Sequence, residues 1–249
     1  GLSAPPINLS IRPLWKTVVP PTYLRTAYAV DTAGMNFTGM IGPVVATALS
    51  LSAHPSLALY VTAGCMALGG YGLALSTVSR QWRPEKVEKT KSLFRYRSMQ
   101  LLAIEGSFIG LGWGLFDVAV PAFTTLEKVQ FLTAWILGAM STANVIGGLT
   151  GGLVSKSQSP LRALMTAYTF WFFVSLPVIF THPGISMIIA GFFLGLVGGA
   201  VQVFYFEVFE LVRPKGFPSA SLGWLWTIEG SVMAMGSAVG GWISATFAP

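Results

Sequence analysis

The sequence predicts an all-α protein that crosses a membrane repeatedly, and three observations predict it. Seven apolar runs each reach or exceed the ~20 residues that a helix needs to cross roughly 30 Å of hydrocarbon. Fourteen of the fifteen Lys and Arg residues fall in every second polar gap between those runs, Lys128 being the exception. A composition of 53% hydrophobic and 10% charged residues, at a mean hydropathy of +0.66, leaves too little polar surface to cover a soluble domain.

In chain order the predicted spans are 26–52, 55–78, 98–123, 131–154, 161–180, 185–209 and 219–247. The basic gaps hold Arg12, Lys16 and Arg25; then Arg80, Arg83, Lys86, Lys89, Lys91, Arg95 and Arg97; then Lys156 and Arg162; then Arg213 and Lys215. Cytoplasmic loops retain Lys and Arg. These gaps are therefore expected inside, with the N-terminal end of the chain cytoplasmic, and the short gaps 51–55, 124–130 and 181–184 outside.

Residues 1–25 carry five prolines and no continuous apolar core of the signal-peptide kind. The opening Gly1-Leu2-Ser3-Ala4 reads as the tail of a helix cut partway through, and the chain stops directly after its last span, so a fragment is expected. The stretch 79–97, with seven basic residues, two acids and Pro84, reads as a cytoplasmic linker between two bundles.

Several function classes lack their parts. There is no phosphate-binding G-x-x-x-x-G-K-[ST] loop and no H-E-x-x-H pair. Neither His lies in a span where it can activate a nucleophile, so no enzyme and no cofactor are expected. The net charge of +6 is spread over four loops without interleaved aromatics, which argues against nucleic acid. Cys65 is the only cysteine. Within one chain it can form neither a disulfide nor a zinc site, and it reads as a buried structural thiol.

Ionisable groups at bilayer depth are the sharper signals, because a carboxylate there costs about 2.5 to 3.5 kcal/mol even on the lenient insertion scale, and such groups face cavities. Glu229, about 14 Å into the last span at the helical rise, is the most central. It is a candidate proton carrier or partner for a cationic substrate, against a plain hydrogen-bonded Glu. Glu105 and Asp117 share one helix but lie about 120° apart around it and ~18 Å along it. Glu105 is expected to line a cavity from the inner side and Asp117 to stand at the outer mouth. Asp31 and Arg25 read as an ion pair or cap near the cytoplasmic entrance. Glu207 and Glu210 read as partners of nearby Arg213 and Lys215. The aromatic run Tyr168, Phe170, Trp171, Phe172 and Phe173 suits lipid contact or packing first and a flat ligand second. His54-Pro55 and His182-Pro183 read as exposed outer turns.

Small residues supply the packing. Gly148 with Gly152, Gly195 with Gly199, and Gly236 with Gly240 each form a small-xxx-small face that lets helices approach closely in lipid. Hinge action is the alternative for each pair. Pro43 and Pro177 are expected to kink their helices. A gapless offset of 194 residues superposes Val18 on Val212, Pro20 on Pro214, Tyr23 on Phe217 and Gly42 on Gly236, as a parallel repeat would. It also brings Asn36 level with Glu229, making them a candidate pair on a cavity wall.

With these residues in view, the chain resembles the major facilitator superfamily, specifically its bacterial efflux-type permeases. Arg12-Pro13-Leu14-Trp15, Val19-Pro20-Pro21 and Leu24-Arg25-Thr26 look like the loop between that family's fourth and fifth helices. Gly39 and Gly42-Pro43 resemble the glycine-proline signature of the fifth, with two residues between the glycines where the family's antiporters have three. Gly106, Gly110 and Pro121 suit the seventh helix, Gly147-Gly148 and Gly151-Gly152 the eighth, and Trp224-Leu225 with Gly236 and Gly240-Gly241 the eleventh. Ser155-Lys156 stands where the family has an Asp followed by basic residues.

The resemblance implies a chain running from the end of helix four through helix eleven of twelve. Residues 1–25 would be a truncated helix and loop, 26–78 the last two helices of an N-terminal bundle, 79–97 the linker, and 98–249 a C-terminal bundle lacking its last helix. It implies a transporter in a bacterial inner membrane, moving a small organic solute by alternating access with proton-coupled efflux. The expected partners are a small-molecule substrate, protons and lipid. A seven-helix receptor or a non-transporting scaffold is the competing reading, although the inside N-terminal end and the lack of an intramembrane Lys count against a retinal protein.

Overall fold

The computed structural model describes residues 14–50, 56–81, 92–153, 159–182 and 184–247. Among them the secondary structure is helical, with seven long helices. We label these α1 (Leu24–Ser50), α2 (Leu57–Leu75), α3 (Arg97–Leu126), α4 (Leu132–Leu153), α5 (Pro160–Ser175), α6 (Ile185–Val212) and α7 (Pro218–Phe247). Each covers one predicted span. Five of the spans, namely α2, α3, α4, α5 with its extension to Phe180, and α6, are long and apolar enough to cross a membrane by length and composition. The expectations for His54-Pro55, Pro183 and Ser155-Lys156 lie outside the described residues, as do the side chains of Gly39 and Pro43 within α1.

Local chemistry explains the ends. Pro21 opens a short 3-10 turn that leads into α1, and Pro160 and Pro218 are the first residues of α5 and α7. Proline fits a first turn, where its missing N–H would have no intrahelical partner. At α5 the Ser159 hydroxyl also caps the Arg162 N–H at 3.4 Å. The 194-residue offset maps the start of α1, Leu24, onto the start of α7, Pro218. Near Pro177 the helix α5 tightens into a 3-10 segment, Leu176–Phe180, as expected where proline removes a donor and crowds the preceding turn.

The helix α6 is the hub. It packs most extensively on α4, and also on α5 and α1, while α3 packs on α7. Its C-terminal half supplies Phe204, Tyr205, Phe206 and Phe209 to a core completed by Tyr28, Leu102, Leu164 and Leu222. Glycine makes the close approaches possible. A Cβ at Gly147 would collide with the Leu196 backbone, at Gly195 with Met140, and at Gly199 with Asn144, which joins α4 to α6. The α3–α7 pair is built alike: Gly110 meets the Glu229 carbonyl, Gly114 meets Met233, and Gly236 meets Leu111 at 2.6 Å. Gly148 and Gly152 face α1 instead, against Thr32 and Ala29.

One expectation changes here. Cys65 is exposed, because α2 has no buried residue along its length and touches little besides α1. A thiol within a span is therefore not a thiol within a core. At Gly42 a Cβ would meet nothing within 4 Å. Large apolar side chains face outward along the helices, Phe108 being 72% exposed and Ile179 77% exposed. Such a surface suits hydrocarbon and would be untenable in water.

Candidate functional site

Six helices line a cavity of about 350 Å³. From α3 come Glu105, Ile109 and Trp113, from α7 Trp226 and Glu229, and from α5 Tyr168 and Trp171. Asn144 of α4, Gln202 and Tyr205 of α6, and Met35 of α1 complete the wall. The cavity thus holds both Glu105 and Glu229. The α3 backbone comes close to Glu229, since a Cβ at Gly106 would stand 3.7 Å from the Glu229 Cβ.

The two carboxylates differ in their attachments. Tyr168 donates its phenolic hydrogen to Glu105 Oε1, which ties the acid of α3 to α5. The other oxygen, Oε2, is buried without a hydrogen-bond partner among the described residues. The Glu229 side chain makes no hydrogen bond or ion pair among the described residues. One acid is held and the other is free to exchange partners.

Asn36 meets this cavity through its neighbours. Its Nδ2 donates to Asn144 Oδ1 at 2.7 Å and to Gln202 Oε1 at 3.2 Å, tying α1 to α4 and α6. Sequence reasoning missed Asn144 and Gln202, although a signal existed. Asn36, Asn144 and Gln202 are the three carboxamides that stand well inside a span, and a buried amide needs a partner for the same reason a buried acid does.

Asp117 is separate. It is exposed toward the C-terminal end of α3 and borders a second hollow with Pro121, Thr125 and Ser244. Asp31 does not line the main cavity. Arg25 is 2% exposed, and both its Nε and Nη2 lie 2.8 Å from Glu207 Oε2 of α6. Its guanidinium also lies 5.5 Å from the Phe204 ring centroid. The expectation for Glu207 changes accordingly: it pairs with Arg25 across helices, while Glu210 pairs with Arg213 at 3.0 Å and with Lys16. Proximity along the chain gave the Arg213 partner, the meeting of α1 with α6 gave Arg25, and the segment that precedes α1 gave Lys16.

The aromatic run divides by helical face. Tyr168 and Trp171, three residues apart, turn inward and line the cavity, whereas Phe170, Phe172 and Phe173 are exposed. A further hollow of about 580 Å³ lies beyond Tyr168 and Trp171, with an almost wholly apolar lining.

Comparison with known proteins gives the setting. The family model described as Major Facilitator Superfamily matches residues 1–237. The chain is 27% identical over 179 residues to the uncharacterized MFS-type transporter y4rN of Sinorhizobium fredii, an alignment covering 66% of this chain and 43% of that protein. The chain thus spans less than half the length of this relative. No solved structure matches the chain. With the long apolar helices, the family match marks an integral membrane protein.

Proposed function

We propose, from the premise that the chain belongs to the major facilitator superfamily, that it forms part of a secondary active transporter moving a small organic solute by proton-coupled efflux. The observation that supports this most is the pairing of a held acid, Glu105, with an unattached one, Glu229, in one cavity bordered by six helices. Carboxylates at that depth are costly unless they face a cavity that receives a cation or a proton. Glu229 is then the exchangeable group: ionised, it holds a cationic solute, and protonated, it lets the solute go. Tyr168 positions Glu105 as a second acceptor. Asn144 and Gln202 supply hydrogen bonds that orient the solute.

In this reading α1 and α2 belong to one bundle and α3 to α7 to the other, with 79–97 as the cytoplasmic tether. The two bundles rock about the cavity. The proposed setting is a bacterial inner membrane with the N-terminal end inside. Lys16, Arg25, Glu207, Glu210 and Arg213 meet at one end of the bundle, which supports a charged cytoplasmic face there. Family membership favours a transporter over the seven-helix receptor alternative.

The test is solute-dependent proton movement in inverted membrane vesicles that contain the intact transporter, over a panel of cationic, neutral and anionic organic solutes. We expect at least one solute to discharge an imposed pH gradient, and Glu229→Gln to abolish that response. Undiminished coupling in Glu229→Gln removes it as the carrier, and silence across the panel contradicts proton-coupled efflux.

A further inference from the structure

We propose that Asn36 is a positioning residue that acts through Asn144 and Gln202. Its carboxamide, carried by α1, fills the point between them that a hydrogen-bond donor of the solute takes, so solute binding there and the closed contact of α1 with α4 and α6 exclude each other. This deepens the transport reading, in which Asn144 and Gln202 orient the solute, and rests on it.

The acceptors come first. Asn144 of α4 and Gln202 of α6 stand on helices locked together, because a Cβ at Gly199 would collide with the Asn144 carbonyl and the Gly148 backbone. Gly198 leaves room for the amide itself, since a Cβ there would stand 3.7 Å from Asn144 Nδ2 and from the Trp171 indole nitrogen. Asn144 thus turns its nitrogen to α6 and its oxygen to Asn36 of α1. Both acceptor residues line the cavity, whereas Asn36 reaches them from outside its wall.

The donor comes second. A primary amide nitrogen carries two hydrogens, and Asn36 Nδ2 donates to both oxygens, at 2.7 and 3.2 Å. Its neighbours on α1 offer no substitute. One turn before it Thr32 turns a methyl group to Gly148, and one turn after it Met40 Sδ accepts only the Thr142 hydroxyl at 3.5 Å. Withdrawing α1 leaves both oxygens without this donor, and an unmade hydrogen bond away from water is costly. A solute N–H or O–H that reaches the same point offsets that cost, and it does so only once Asn36 has left. A ligand that binds one of two states better shifts the population toward it. The solute therefore loosens the seam that Asn36 closes. Two hydrogen bonds of the strength usual between membrane helices favour the closed seam by a factor of about five to ten.

The test reads the distance between spin labels at Val30 of α1 and Leu211 of α6, both exposed, by double electron–electron resonance on the intact transporter in lipid nanodiscs. We expect Asn36→Leu to raise the open population about five- to tenfold, Asn144→Leu/Gln202→Leu to raise it as much, and all three changes together to raise it no further. Thr142→Val, which removes a polar contact from the same seam, should leave it unchanged. The probes are acetamide, which carries the donor group of Asn36, and N,N-dimethylacetamide, which has the carbonyl without an N–H. Acetamide should open the unsubstituted seam, dimethylacetamide should not, and the response should vanish in Asn144→Leu/Gln202→Leu. An unchanged distance between labels at Leu101 of α3 and Ala220 of α7, also exposed, reports a folded variant, and Gln202→Leu alone decides the matter if the double variant does not fold. A seam unmoved by Asn36→Leu, equal responses to the two amides, or additive effects of the three substitutions overturns the proposal.

The two readings fail differently. Solute-driven proton movement that Glu229→Gln abolishes, with a seam indifferent to Asn36→Leu, removes the role of Asn36 and keeps transport. A seam that answers to Asn36→Leu and to acetamide, with no solute driving protons, removes proton-coupled efflux and keeps the role of Asn36.

Discussion

The seams α3–α7 and α4–α6 are joined backbone to backbone, whereas the seam that α1 makes with α4 and α6 adds polar side-chain bonds to the close packing of Gly148 and Gly152. In the first two, Gly114 lies on Met233 and Gly147 on Leu196 so closely that no Cβ fits. In the last, Arg25 pairs with Glu207, Asn36 bonds Asn144 and Gln202, and the Thr142 hydroxyl approaches Met40 Sδ at 3.5 Å. Lipid gives helices no hydrophobic reason to associate, so dispersion at short range and hydrogen bonds carry the packing. Glycine contacts of this kind exist in one register only, and sliding forfeits them all. Polar side chains can exchange partners with water when a cavity opens. We propose that the α1 seam is the one that parts under alternating access.

Breaking that contrast should cost most at its buried charges. Glu207→Gln leaves Arg25 without its ion pair across the seam, and we expect a loss of about 3 kcal/mol, read by denaturant unfolding in detergent. Replacing both Arg25 and Glu207 by Met should cost less than the single change. Next in size, Gly114→Ala forces a methyl into the backbone of α7, where overpacking costs roughly 1 to 3 kcal/mol. Gly112→Ala, with nothing within 4 Å of the new Cβ, is the control on the same helix and should be neutral or slightly stabilising. Asn36→Leu removes two hydrogen bonds worth about 0.6 kcal/mol each in a membrane, so its stability loss near 1 kcal/mol should be smaller than its effect on transport rate. Smallest is Gly42→Ala, which should leave transport intact and raise stability by no more than about 1 kcal/mol through helix propensity. A transport defect there would restore the hinge role that the glycine-proline signature suggests.

Span positions were legible because composition and charge asymmetry are properties of the solvent each segment meets. The predicted 185–209 and the observed Ile185–Val212 start together, and the offset of 194 finds the equivalent starts of α1 and α7. Glu105 and Glu229 were legible for the same reason, since an acid in hydrocarbon marks itself. What one sequence does not carry is which faces meet. Arg25 finds Glu207, 182 residues away, and no local pattern announces it. Cys65 shows the same limit, because α2 is apolar all round and its sequence does not distinguish a lipid-facing side from a buried one. The aromatic run was half legible: helical spacing separates Tyr168 and Trp171 from Phe170, Phe172 and Phe173, but not which set turns inward.

The central claim is that the α1 seam opens while the α3–α7 seam does not. Spin labels at Val30 of α1 and Leu211 of α6, both exposed, report the first by double electron–electron resonance in the intact transporter. Labels at Leu101 of α3 and Ala220 of α7, also exposed, report the second. The account predicts two distance populations for the first pair, whose ratio shifts between acidic and alkaline pH, and one unchanging population for the second. A single fixed distance across the α1 seam, or an equal shift across both seams, would contradict it.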